Sequence, residues 1–311
     1  MNISFENFKD KRIAVAVSGG ADSMALMNMA AGENPAVLHV DHGLRAAAKK
    51  DSEFVARAAA ALGLSAVILK WTGAKPKTGV EAAARKARYE LLLDWCRENG
   101  VEYLLVAHNA DDQIETFLMN LGRGSGVYGL AAMRSEQTLD GITIARPLLS
   151  VSRAELEKYC AENNIKYIHD EMNDDMGFTR VKIRKNRHLL RDRLDISDDR
   201  ILTAIENLGR VRDMLENNVD ELIKNILIDG RAIFASNYLS DMPDELRLKF
   251  LSQILQTIGN TAYGPRLEKI ESADYMLQSD CKFTMNNCIV RRLGNKILIA
   301  PEGASVSFRK K

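Results

Sequence analysis

The sequence predicts an α/β protein built on a doubly wound parallel sheet, followed by a second, smaller, mainly helical domain. Three observations predict it. Short runs rich in Val, Ile and Leu alternate with longer helical patterns through the first half of the chain. Three of those runs empty directly into polar residues: Val17 into Ser18-Gly19-Gly20, Val40 into Asp41-His42-Gly43, and Ala107 into His108-Asn109-Ala110-Asp111-Asp112. Beyond about residue 194 the alternation stops and amphipathic helical segments take over. Ligands of parallel sheets bind beyond the carboxyl ends of the strands, so the three polar mouths are expected to face one crevice.

Taken in order, strands are expected at 12–17, 36–40, 65–69, 102–107 and 142–145. Helices are expected at 22–31, 46–62, 80–98 and 111–121, where apolar residues recur at helical spacing among Ala, Leu, Glu and Lys. These segments form a first domain at 1–194. The second, 195–311, is expected to hold helices near 198–227, 243–259 and 264–278, then an alternating strand pair near 282–300. No internal repeat or low-complexity tract interrupts either part.

Composition limits the function classes. A chain of 311 residues that is 46% hydrophobic can bury a real core, and a formal net charge of +1 means that any nucleic-acid contact must come from local clusters of Lys and Arg. The four cysteines, Cys96, Cys160, Cys281 and Cys288, form no C-x-x-C pair, so they read as reduced thiols of a cytoplasmic protein without a zinc site. No apolar segment follows a basic start and no apolar run approaches about 18 residues, so neither secretion nor membrane insertion is expected.

The first mouth is the most informative. In Ser18-Gly19-Gly20-Ala21-Asp22-Ser23 an apolar strand enters a two-glycine turn and then a helix. The glycines permit a tight turn, the new helix offers uncapped N–H groups and its positive dipole end to an anion, and two serines add hydroxyls. A phosphate cradle is one reading; a plain strand-turn-helix corner capped by Asp22 is the other. The G-x-x-x-x-G-K-[ST] loop is absent.

At the third mouth Asp111, Asp112 and Glu115 open a helix, with Glu115 on the face of both aspartates. Unrelieved, such like charges cost about 0.2–0.5 kcal/mol per pair. The acids either complement the helix dipole, with Asp111 as cap, or bind Mg²⁺ or an ammonium group. His42 and His108 stand at corresponding places after two strands and are either structural or catalytic. Glu81 and Arg85 form an i,i+4 pair that by itself reads as a solvated salt bridge. Gly122-Arg123-Gly124-Ser125-Gly126 follows a helix, which excludes a dinucleotide fingerprint; it is a linker or a glycine loop that brings Arg123 over a phosphate. Arg180, Arg184, Arg187 and Arg191 recur at helical spacing in a stretch with one acid, Asp192, and favour contact with an RNA backbone.

Together these residues resemble the PP-loop (N-type) ATP pyrophosphatases, and within them the tRNA(Ile)-lysidine synthetases in their short form. The resemblance rests on Ser18 to Ser23, His39-Val40-Asp41-His42-Gly43-Leu44-Arg45, Glu81 to Arg85 with Arg88-Tyr89, and Ala107 to Thr116. It continues through Arg123 to Gly126 with Gly129-Leu130 and Met133, then Arg146-Pro147-Leu148-Leu149 and Asp170 to Arg184. The chain departs from the family's usual pattern at Glu171, Met172 and Val181.

The resemblance implies an adenine nucleotide alpha hydrolase-like fold and a cytoplasmic ligase that forms a C–N bond. ATP would adenylate the C2 carbonyl oxygen of the wobble cytidine of CAU-anticodon tRNA(Ile), and L-lysine would then displace AMP. Carried onto this chain, Ser18, Gly19, Gly20, Ala21, Asp22, Ser23 and His42 would hold ATP, with Asp22 also on Mg²⁺. Asp112 and Glu115 would receive lysine, Arg85 and His108 would complete the catalytic set, and Arg123, Arg180, Arg184 and Arg187 would contact RNA. The second domain would help to bind the tRNA, and a homodimer is admitted. The rival readings are a PP-loop tRNA thiolase, which would call for a cysteine pair or cluster, and a non-catalytic nucleotide-binding sensor.

Overall fold

A computed structural model describes residues 3–43, 48–73, 76, 79–169, 179–261 and 264–304. Six strands form the first sheet: β1 (Ile13–Ala16), β2 (Ala36–Asp41), β3 (Ala66–Lys70), β4 (Tyr103–Leu105), β5 (Glu136–Leu139) and β6 (Ile142–Ala145). Their order is β3-β2-β1-β4-β6-β5. All neighbours are parallel except β5 and β6. Successive residues of a strand face opposite sides, and here both sides are buried. Ala14, Leu38, Leu104 and Ile144 enter one core with Leu92 and Cys96. Val15, Val37, Leu105 and Ala145 enter the other with Leu26, Met27, Val55 and Leu156. This is the doubly wound sheet expected from the alternating sequence.

Helices α1 (Ala21–Met29), α2 (Ala48–Ala61), α3 (Val80–Glu98), α4 (Ala110–Leu121), α5 (Val127–Leu130) and α6 (Arg153–Glu162) connect these strands or follow them. After them come α7 (Thr179–Asn186), α8 (His188–Leu194) and α9 (Asp198–Ile226). The chain winds outward from β1 to β3 and then returns to lay β4 on the other side of β1. That reversal is a topological switch point, so the loops leaving β1 and β4 open beside one another at the carboxyl edge.

By compactness the chain divides into Met1–Gly209 and Arg210–Lys311, a division that falls inside α9. The second unit has its own antiparallel sheet, order β7-β8-β11-β10-β9. Its strands are β7 (Leu227–Ile228), β8 (Arg231–Ala235), β9 (Cys281–Met285), β10 (Cys288–Leu293) and β11 (Lys296–Pro301). Helices α10 (Asn237–Ser240), α11 (Asp244–Gly259) and α12 (Leu267–Met276) accompany the sheet. The segment 282–300 therefore holds parts of three strands: Asn286 and Asn287 both have positive φ, at 54° and 59°, and make the tight turn that separates β9 from β10. Phe250, Leu251, Ile254 and Leu255 of α11 pack with Val290, Ile297 and Ile299. Gly259 ends α11 where an added Cβ would lie 1.9 Å from Asn286 O, so no larger residue fits there. No helix among the described residues is long and apolar enough to cross a membrane.

Candidate active site at the carboxyl ends of the central strands

The loop after β1 is organised from within by Ser23. Its buried hydroxyl accepts the backbone N–H groups of Ser18 and Gly19 over 3.1 and 3.2 Å and donates to Gly20 O over 3.0 Å. Gly19 has φ +96°, and a Cβ there would meet Ile168 Cδ1 at 2.8 Å, so both backbone angle and space favour glycine. Ile168 also donates its N–H to Gly19 O over 2.8 Å. Gly20 caps α1 without a side-chain bond, and the first helical hydrogen bond runs from Met24 N to Gly20 O. The amides of Ala21, Asp22 and Ser23 thus have no acceptor within the helix and sit at its positive end, as an anion site requires.

Asp22 stands in the first turn of α1. Burial, with Asp112 and Asp111 adding like charge, pushes its carboxyl up to about 6 against the opposing pull of Arg153, whose Nε lies 3.7 Å away. Its Oδ1 is buried and has no hydrogen-bond partner among the described residues. A carboxylate oxygen left in this state beside an anion-binding loop fits a divalent cation. No cluster of three or more His, Cys, Asp or Glu that could hold a metal occurs among the described residues. A cation here would therefore be shared with phosphate oxygens and water, the usual arrangement for Mg²⁺.

The first turn of α4 assigns its acids separate tasks. Asn109, fully buried, is the cap: its Oδ1 accepts Asp112 N over 3.0 Å while Asp112 Oδ2 accepts Asn109 N over 3.1 Å, a capping box. The expectation that Asp111 caps this helix is corrected, because Asp111 comes two residues after the cap, in the first turn. Its Oδ2 instead accepts Arg153 N over 2.7 Å and its Oδ1 accepts Arg187 Nη2 over 2.6 Å. Burial alone would raise the Asp111 carboxyl, but these two donors hold it below the ordinary carboxylate range.

Glu115 is 0% exposed. Arg184 donates to both its oxygens, over 2.7 and 3.3 Å, and Arg180 Nε lies 3.5 Å from Oε2. Arg180 also donates to Thr116 Oγ1 over 3.1 Å, and Arg187 reaches Asp198 over 3.1 Å as well as Asp111. Arg180 and Arg184 of α7, and Arg187 between α7 and α8, thus all meet the acids of α4 in this structure. Arg191 is the exposed member of the set, beside Asp192. A ligand ammonium reaches Glu115 only by displacing a guanidinium, whereas Asp112 commits a single oxygen to the capping box.

His108 stands three residues past the end of β4, in the loop that leads into α4. Burial, with Arg146, Arg85 and Arg180 nearby, lowers it to about 4 in spite of Asp112, so its imidazole is neutral at physiological pH. Its Nδ1 is buried without a hydrogen-bond partner among the described residues. Arg85 lies 5.3 Å from the centre of the Tyr89 ring. His42, after β2, meets Trp71 edge-on with centroids 6.1 Å apart. Arg123 is exposed in a loop tied to α4, where Asn120 Nδ2 donates to Gly129 O over 2.7 Å. Arg45, the side chain of Glu81 and the segment from Asp170 to Phe178 lie outside the described residues.

Sequence reasoning did not single out Asn109, Arg153 or Arg146 as site residues. Asn109 carried a signal: it has Asp three positions later, just where a strand gives way to a helix.

A family model described as a PP-loop domain matches residues 1–190. The chain is 36% identical to a tRNA(Ile)-lysidine synthase of Wolbachia pipientis wMel, over 96% of this chain and 72% of that protein. It is 35% identical to one of Ruegeria pomeroyi, over 95% of this chain and 72% of that protein. Among solved structures, a U34-tRNA thiolase of Methanococcus maripaludis with its [4Fe-4S] cluster matches with TM-score 0.55 over 65% of this chain and 72% of that one, at 15% identity, a likeness of fold. The cradle after β1, the acid-bearing helix after β4 and these relatives agree, and the chain belongs to the tRNA(Ile)-lysidine synthase family of PP-loop proteins.

Proposed function

We propose that this crevice joins L-lysine to C2 of the wobble cytidine of CAU-anticodon tRNA(Ile) in two steps driven by ATP. The observation that carries the reading is the placement, at adjacent strand mouths, of an anion-binding loop with an unsatisfied carboxylate and of a helix N-terminus bearing Asp112 beside neutral His108. In the first step the C2 carbonyl oxygen attacks the α-phosphorus and pyrophosphate leaves. The Ser18 hydroxyl, Gly19, Gly20 and the first-turn amides of α1 would hold the phosphates, and Asp22 would hold Mg²⁺ there. When bound, Mg²⁺ neutralises charge on the phosphate oxygens.

In the second step the lysine amine adds to C2, the C2–O bond breaks and AMP departs. A free lysine side chain titrates near 10.4 and enters as the ammonium. Asp112, with one oxygen outside the capping box, attracts it. Only the free amine can attack, so the ammonium gives up one proton to solvent before its bond to C2 forms; the second proton, made far more acidic by that bond, passes to Asp112 or to neutral His108. Glu115 holds Arg184 and Arg180 over this pocket, so lysine competes with guanidinium groups for its acids.

The thiolase reading finds no support in the cysteines. Cys96, Cys160 and Cys288 are buried and burial raises their thiols to about 12, 11 and 11, so they are protonated. Asp112→Asn tests the division of labour. Lysine transfer is expected to fall at least about 100-fold while tRNA-dependent pyrophosphate release persists within a few-fold. Equal loss of both steps would contradict the assignment.

A further inference from the structure

Three guanidinium groups gather around Tyr89 without a carboxylate among the described residues, which leave out the side chain of Glu81, one helical turn before Arg85. Arg85 and Arg88 lie 5.3 and 5.8 Å from the ring centre, and Arg146, at the end of β6, lies beside the same tyrosine. Among the described residues none of the three has an ion pair. Arg146 is 8% exposed. Its Nη1 donates to Arg134 O over 2.9 Å and its Nη2 to Gln137 Oε1 over 3.4 Å, but its Nε is buried with no partner among the described residues. A strut between β6 and the preceding strand accounts for the two Nη contacts. It leaves the idle Nε and the convergence of Arg85 and Arg88 unexplained. Arg146 is buried and Arg88 half-buried while Arg85 is exposed, so like charge gathers here at the edge of solvent, and an anion is what relieves it.

Place in the fold indicates which anion. Along the sheet the order is β1, β4, β6, so His108 at the mouth of β4 stands between the β1 loop and Arg146. At about 4.8 Å per strand the cluster lies roughly 10 Å across the sheet from the triphosphate cradle. Resting on the proposed reaction, we infer that Arg146 and Arg88, with Arg85, form a subsite for a backbone phosphate of the RNA whose base lies at His108. The planar guanidinium forks match phosphodiester oxygens, and the contact holds the wobble nucleotide against the α-phosphorus. Burial lowers the proton affinity of Arg88 and Arg146, with Arg85 adding like charge at both, in keeping with a site that gains from a bound anion.

The test measures binding of CAU-anticodon tRNA(Ile) to the full chain as a function of salt, for wild type, Arg88→Gln, Arg146→Gln and Arg146→Lys, and binding of ATP without RNA. Arg88→Gln is expected to flatten the slope of log K against log salt by about 0.7, the loss of one contact to unpaired RNA, and to leave ATP affinity unchanged. Arg146→Gln should do the same and Arg146→Lys should restore the slope. Arg88 makes no strut contact, so its variant decides the matter if Arg146→Gln does not fold. Weaker RNA binding at an unchanged slope would overturn the subsite in favour of a structural role, and a parallel loss of ATP affinity would assign it to the triphosphate. A wild-type chain that binds no tRNA at any salt would overturn the functional reading on which the subsite rests.

Discussion

Asp22→Asn is expected to make the ligand-free protein more stable and to abolish adenylation. The folded environment raises this carboxyl from 3.8 to about 6, chiefly through burial. A group whose folded pKa is raised favours folding most when protonated. Its contribution is fully present below pH 3.8 and is lost as pH rises through about 6. At neutral pH the ionised wild-type side chain therefore costs on the order of 3 kcal/mol, since the carboxyl is raised from 3.8 to about 6 and each tenfold change in proton affinity is worth about 1.4 kcal/mol. Asparagine keeps the shape and removes the charge, so the ligand-free variant should unfold at higher denaturant, and this part of the pH dependence should vanish. The same change removes the buried oxygen offered to a cation, so tRNA-dependent pyrophosphate release should fall about 10²–10³-fold. Denaturant titration at pH 5 and pH 8, beside a pyrophosphate assay, checks both. A variant that is less stable at pH 8, or that retains adenylation, would show that Asp22 is a structural acid paired with Arg153.

Glu115→Gln is expected to give the largest loss of stability of any single change at the site. The wild-type carboxylate is fully buried between Arg184 and Arg180. Removing one partner of such a set strands the others, at about 3–5 kcal/mol when all are buried. Here Arg180 and Arg184 side chains keep 35% and 30% of their exposure and can turn to water, so the lower end, about 3 kcal/mol, applies. The effect should be local first, because α7 is held to α4 through this carboxylate. Hydrogen exchange should show loss of protection across Thr179–Asn186 before the central strands are affected. Unchanged protection there would mean that the helix is held by its other contacts, Val181 above all.

Much of the fold was legible because each rule that predicted it is local. A continuous apolar run such as Ala14-Val15 can be buried on both faces only in a covered parallel sheet, and the helix at 80–98 follows from its spacing alone. Strand β5 was not legible. Glu136, Gln137 and Thr138 are exposed, and the strand owes its form to pairing with β6. The same limit applies at the site. Spacing puts Arg180, Arg184 and Arg187 on one side of a continuous helix; it cannot show that the helix ends at Asn186, leaving Arg187 between α7 and α8, or that the three meet Glu115 and Asp111. Nor can it rank the three acids of α4, whose tasks depend on partners such as Arg153 and Arg184, distant along the chain. Arg146 belongs to a motif of the resemblance, but that motif gives it no task; its meeting with Arg88 around Tyr89 is visible only in the structure.

The most direct test of the central claim incubates the full chain with ATP, Mg²⁺, labelled lysine and either CAU-anticodon tRNA(Ile) or elongator tRNA(Met). The geometry and the family predict stable label in the first tRNA, dependent on ATP and accompanied by AMP and pyrophosphate, and none in the second. Pyrophosphate release without label, label in both RNAs, or no reaction with either would contradict the assignment.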